Sequence, residues 1–87
     1  PQRLKDQGYL IYPNPFKSAF LIHHYVAPTS LKSVQVFSSV GELVWDKRFA
    51  GNANTEIWVN LNNLSRGVYI LKMIYDSKTI VERIVKD

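Results

Sequence analysis

With 87 residues, 46% of them hydrophobic and 13% aromatic, the chain suffices for one small domain with a single packed core. It contains no cysteine, which excludes disulfide frameworks, thiol nucleophiles and cysteine-based zinc sites while leaving the compartment open. The net charge of +4 is spread along the chain rather than clustered, so no nucleic-acid interface is expected.

Pro1 to Gln7 are polar, charged and aperiodic, and are expected to be the end of a linker to an upstream domain; residues 8–87 form the domain itself. No apolar run approaches the ~18–20 residues that cross a bilayer as a helix. Nor does a charged-then-apolar leader open the sequence, so an exported protein built on it is expected to carry its export signal on an upstream part.

From Gly8 onward the pattern predicts strand after strand. Gly8 to Tyr12 is aromatic and β-branched, and is stopped by Pro13 and Pro15. The two prolines remove backbone donors and fix φ, while Asn14 between them can bond the local backbone. Ala19 to Val26 makes a second strand, closed by Ala27-Pro28-Thr29-Ser30. Ser33 to Phe37 and Glu42 to Phe49 predict a hairpin around a short turn in which Gly41 can take positive φ.

After the loop at Gly51 to Asn54, Thr55 to Asn60 predicts a fifth strand with Ile57 and Val59 on one face. Leu61 and Leu64 flank Asn62-Asn63 in a turn or single helical turn. Gly67 then lets the chain turn into Val68 to Tyr75, which is apolar on both faces except at Lys72 and so reads as a central strand. Tyr69 and Leu71 share a face there, with Leu64 capping the core beside them. Asp76-Ser77-Lys78 leads to the last strand, Thr79 to Val85. Seven short strands with regular turn signals predict an all-β fold, an immunoglobulin-like antiparallel β-sandwich, with a barrel as the alternative.

Chemistry is harder to place on this pattern. His23 and His24 sit next to each other on a strand, so their rings point to opposite faces and cannot chelate one ion. The acidic residues are isolated, and the glycines stand too far apart for a phosphate loop. Asn63-Leu64-Ser65 satisfies the glycosylation triplet, which arises by chance in many short chains. Trp45, Trp58, Tyr25, Phe49 and Tyr75 could supply a stacking platform, Trp58 being the best placed for exposure, but aromatic residues also build small cores. No catalytic, cofactor-binding or metal-binding residue is expected, and no cofactor.

The resemblance rests on residues in a fixed order. These are Tyr12-Pro13-Asn14-Pro15, then Val34 to Phe37 leading to Gly41-Glu42-Leu43-Val44, then Ile57 to Leu61, then Leu64-Ser65-Arg66-Gly67-Val68-Tyr69-Ile70-Leu71, and Ile84-Val85-Lys86. From about Gly8 to Asp87 the chain resembles the type A C-terminal sorting domain of the type IX secretion system, found in cargo proteins of Bacteroidota. It departs from that pattern at Ser38 and Ser39, where an acidic residue is frequent, and in a tail less rich in lysine.

The resemblance implies a sorting signal in which Tyr12, Pro13, Asn14, Pro15, Gly41, Leu64, Gly67, Tyr69 and Leu71 are motif positions. It further implies a cargo that passes the periplasm of a Gram-negative bacterium, is recognised by an outer-membrane translocon, and is carried by a shuttle protein to a surface sortase. The cargo is then secreted or held at the cell surface. The last strand, with apolar and charged residues on both faces, could offer an open sheet edge, and Arg83, Ile84, Val85 and Lys86 are expected to form the recognition surface. Open edges also allow a strand-exchanged homodimer. Two rival readings are a carbohydrate-binding or adhesion module and a structural immunoglobulin-like spacer resembling those of flagellar hook-capping proteins.

Overall fold

A computed structural model describes residues 8–87; the expected linker end, 1–7, lies outside the described residues. The described chain is all strand and turn: β1 (Tyr9–Tyr12), β2 (Ala19–His24), β3 (Leu31–Ser38), β4 (Leu43–Arg48), β5 (Glu56–Asn60), β6 (Gly67–Tyr75) and β7 (Thr79–Lys86). They form two antiparallel sheets, one ordered β1-β2-β5 and the other β4-β3-β6-β7. The immunoglobulin-like sandwich is therefore the fold, and the barrel is not.

Alternation builds the core. Phe20 and Ile22 of β2, Ile57 and Val59 of β5, Val34 and Val36 of β3, and Tyr69, Leu71 and Met73 of β6 all point inward and are buried. β6 lies between β3 and β7, which explains why it is apolar on both faces. On its outer face the Lys72 ammonium lies 5.3 Å from the centre of the Phe37 ring, so its stem and charge both find partners there.

Several boundaries differ from the pattern in the sequence. β3 begins at Leu31, before the predicted Ser33, because a register shift between Leu31 and Ser33 lets Leu31 and Val34 both face inward. β2 stops at His24, and Tyr25 and Val26 bend away exposed toward Pro28. A second shift pairs Val36 with Trp45 and Phe37 with Leu43, leaving Val44 as a bulge in β4. Between β3 and β4 the hairpin closes through the Ser38 amide onto the Glu42 carbonyl at 2.8 Å, with Gly41 at φ 88°. The Leu61–Leu64 segment is a turn, in which the Leu64 amide reaches the Leu61 carbonyl at 3.1 Å.

Two polar contacts fix how the sheets stack. The Tyr9 hydroxyl of β1 donates to Glu82 of β7, and His24 Nε2 of β2 lies 2.6 Å from the Tyr75 hydroxyl of β6. β1 thus sits over β7 and β2 over β6, which places β5 over β3. Four strands face three, and among the described residues β4 has no strand opposite it.

Candidate functional site

The two motifs that stand far apart in the sequence meet on one strand. Pro13 and Pro15, both preceded by cis peptide bonds, lift the chain off the end of β1 toward β7. Asn14 then bridges to that strand: its Oδ1 accepts from the Val85 amide at 3.0 Å, and its Nδ2 donates to the Arg83 carbonyl at 3.2 Å. Phe16 continues the contact in parallel register. Its amide donates to the Val85 carbonyl at 2.9 Å, and its carbonyl accepts from Asp87 at 2.8 Å. The Phe16 ring is buried and packs on Phe20, ring centres 5.1 Å apart.

The second motif holds the same strand from the inner side. Gly67, at φ 149°, starts β6 opposite Lys86, and Tyr69 pairs with Ile84. The Tyr69 hydroxyl donates to the Ser65 carbonyl at 2.6 Å, four residues upstream, in the manner of the tyrosine corner of immunoglobulin-like domains. Lys86 is only 8% exposed. Its ammonium donates to the carbonyl of Leu64, and to that of Asn62 at 3.4 Å, so a cation compensates backbone acceptors in the turn before β6. Leu64 packs half-buried against the core beside it.

Of the four residues expected to form a recognition surface, two point inward: Ile84, at 1% exposure, and Lys86. Arg83 and Val85 lie on the outer face of β7, and Val81, 57% exposed, lies beside them on the same face. The outward backbone of the strand from Arg83 to Asp87 is largely engaged by Asn14 and Phe16. β7 is therefore open along its first half and clasped along its second. Phe16 is the residue that the sequence pattern did not single out, and Lys86, expected on an exposed recognition surface, is buried instead. A phenylalanine just after two prolines looks like loop, and a lysine near the end of the sequence looks solvated. The one available signal was the apolar Phe16 in an otherwise polar turn.

The remaining candidates separate. His23 and His24 point to opposite faces: His24 is buried, while His23 Nδ1 lies 3.7 Å from the exposed Glu56 carboxylate. Burial, with the neighbouring His23, holds the His24 imidazole below its ordinary range, and its Nδ1 has no hydrogen-bond partner among the described residues. Burial also pushes the Tyr75 hydroxyl up. The Tyr9 hydroxyl is raised further by burial and by its bond to Glu82, so both phenols stay protonated through the physiological range. Among the described residues, no group of three metal-ligating side chains converges. The five aromatic residues do not share a platform. Tyr75 and Trp45 face the core, while Trp58, 61% exposed, stands on the outer face of the smaller sheet in register with Leu21 and Tyr12.

Fold and clasp together define a small immunoglobulin-like β-sandwich module whose last strand is held in place by both sequence motifs. Residues 10–87 match the family described as the secretion system C-terminal sorting domain. The chain belongs to that family, and it is a sorting signal for type IX secretion. Comparison with curated proteins found no match. This family is not an enzyme family. It serves a cargo carried upstream, exported to the cell surface or released, and works by engaging the type IX machinery.

Proposed function

We propose that this domain is the address that an outer-membrane translocon reads on a cargo arriving from the periplasm, and that a surface sortase then cuts the chain upstream of β1. The reading is supported above all by one observation: the two motif segments converge on β7, Asn14 and its neighbours on the strand's backbone and the Leu64 to Leu71 segment on the Lys86 ammonium and through the β6 ladder. On this reading the motif residues do not touch the translocon. They hold β7 so that Arg83 and Val85, with Val81, present one outward face, while Ile84 and Lys86 anchor the strand from within. Tethering a strand in this way lowers the ordering cost that a flexible tail would incur on binding.

A fusion tests it. These 87 residues are joined to a periplasmically exported fluorescent protein in a bacterium with a type IX system. Fluorescence outside the cell is the expected result, and retention in the periplasm would overturn the reading. The division of labour is tested within the same fusion. Arg83→Glu should block export while leaving the purified domain's melting temperature within about 2 °C of the parent, as befits a surface change. Lys86→Ala should lower export and stability together. Normal export of Arg83→Glu would remove β7's outer face from the proposal.

A further inference from the structure

The four-over-three stacking leaves a slot where a fourth strand of the smaller sheet would lie. Its floor is the inner face of β4. Trp45 and Lys47 stand opposite Val36 and Val34, which point into the core, so both face inward. Val44, Trp45 and Phe49 pack against the core from this side, and Lys47 Nζ lies 5.6 Å from the centre of the Phe49 ring. Along β5 the slot continues as two grooves, of about 440 and 380 Å3. Lys47, Arg48, Phe49 and Trp58 line the first; Val44, Trp45 and Leu64 line the second.

Among the described residues, the wall of the slot is a bare sheet edge. His24 donates to the Thr55 carbonyl at 2.7 Å and Leu61 to the Ser18 carbonyl at 2.8 Å, in line with the β2–β5 register. By antiparallel alternation, Ile57 and Val59 spend their backbone groups on β2, whereas Glu56, Trp58 and Asn60 turn theirs outward. The other edges are blocked in part: β1 is only four residues long and runs into Pro13 and Pro15, β7 is clasped along its second half by Asn14 and Phe16, and β4 carries a bulge together with Asp46, Lys47 and Arg48. β5 has no proline, no bulge, and a single charge at its first position.

We propose that the β5 edge is a strand-addition site for an extended segment of a partner polypeptide, with an apolar residue and an acidic residue two positions apart. Added beside β5, such a segment turns alternate side chains into the slot. The apolar one covers Val44 and Trp45, and the acidic one meets Lys47 with Arg48 close by. The residue between them lies on the outer face next to Trp58, where a β-branched side chain packs well across strands. Charge complementarity selects this occupant: the slot's cations stand on its floor and rim, and its one carboxylate, Glu56, sits at the end of β5. The proposal stands apart from the sorting reading, since it concerns a different edge of the other sheet.

The test uses the 87-residue domain and the peptide acetyl-Thr-Val-Thr-Glu-Thr-Val-Thr-amide, followed by amide NMR. Binding should shift the Glu56, Trp58 and Asn60 amides and slow their hydrogen exchange. N-methylation of one alternate set of peptide residues should abolish binding while the other set is tolerated, because only one set bonds the edge. Replacing Glu by Lys in the peptide should weaken it about three- to ten-fold, and Lys47→Glu in the domain should reverse that preference. Four results would overturn the proposal. These are no shift at millimolar peptide, equal loss from both methylation sets, stronger shifts of the same amides by cellohexaose, or concentration-dependent dimerisation that protects them without peptide.

Discussion

Replacing Asn14 by alanine isolates the clasp with a single side chain. The substitution removes an acceptor 3.0 Å from the Val85 amide and a donor 3.2 Å from the Arg83 carbonyl. An average intramolecular hydrogen bond contributes roughly 0.5–1.5 kcal/mol net, and these two are exposed enough for water to replace part of each. The expected loss is about 1–2 kcal/mol. A domain of this size loses about 4–8 °C of melting temperature per kcal/mol, so the melting temperature followed by circular dichroism should fall by about 4–16 °C. Amide exchange at Val85 should speed up more than exchange at Val34 or Leu71, since the core pairs remain. Asn14→Asp keeps the acceptor for Val85 and loses the donor to Arg83, so it should fall between the two. An alanine variant that melts within about 1 °C of the parent with Val85 still protected would refute the clasp.

Leucine truncation should separate the two faces of the larger sheet. Leu71→Ala, fully buried, should cost about 2–5 kcal/mol in urea unfolding, and Leu43→Ala, nearly half exposed, less than about 1 kcal/mol. Lys86→Met retains a stem but abandons the carbonyls of Leu64 and Asn62, and should cost about 1–3 kcal/mol by the same assay. Stability should also depend on pH through His24, which is buried neutral with a lowered pKa. The unfolded chain takes up a proton below about 6.5 and the folded one does not, so the urea midpoint should be flat above that value. It should decline as pH falls from there toward the folded pKa, and His24→Gln should flatten this slope. Tyr9 and Tyr75, whose pKa values are raised, act at the other end: stability declines as pH rises above about 10, where only the unfolded phenols ionise.

What could be read from the residues was local. Strands with strict alternation emerged close to their limits: Thr55 to Asn60 was expected and Glu56–Asn60 is found, because period-two burial and the flanking turn residues agree there. The Gly67 turn and the shared face of Tyr69 and Leu71 were equally legible. Where a bulge breaks the period, as at Leu31 to Val34, the pattern misplaced the strand's start. The clasp was beyond local reading for a different reason. Nothing near Asn14 signals that its amide will bond residues about 70 positions away; that pairing exists only once β1 sits over β7. The slot beside β4 is less legible still, since it is defined by a strand that the fold omits.

The Phe16–Lys86 bridge and the Asn14–Val85 bond also govern when this domain can finish folding. Both join segments from opposite ends of the sequence, so their loop-closure entropy is offset only after β2 to β6 have assembled. During synthesis the ribosome must have released the last strand before either contact can form. The domain therefore acts as its own completeness check: a nascent or clipped chain lacking β7 keeps the β6 edge open and takes away the partners of the Phe16 backbone and of the Lys86-bound turn carbonyls at Asn62 and Leu64. Such a chain exposes the surface that chaperones and proteases bind, whereas a finished one hides it.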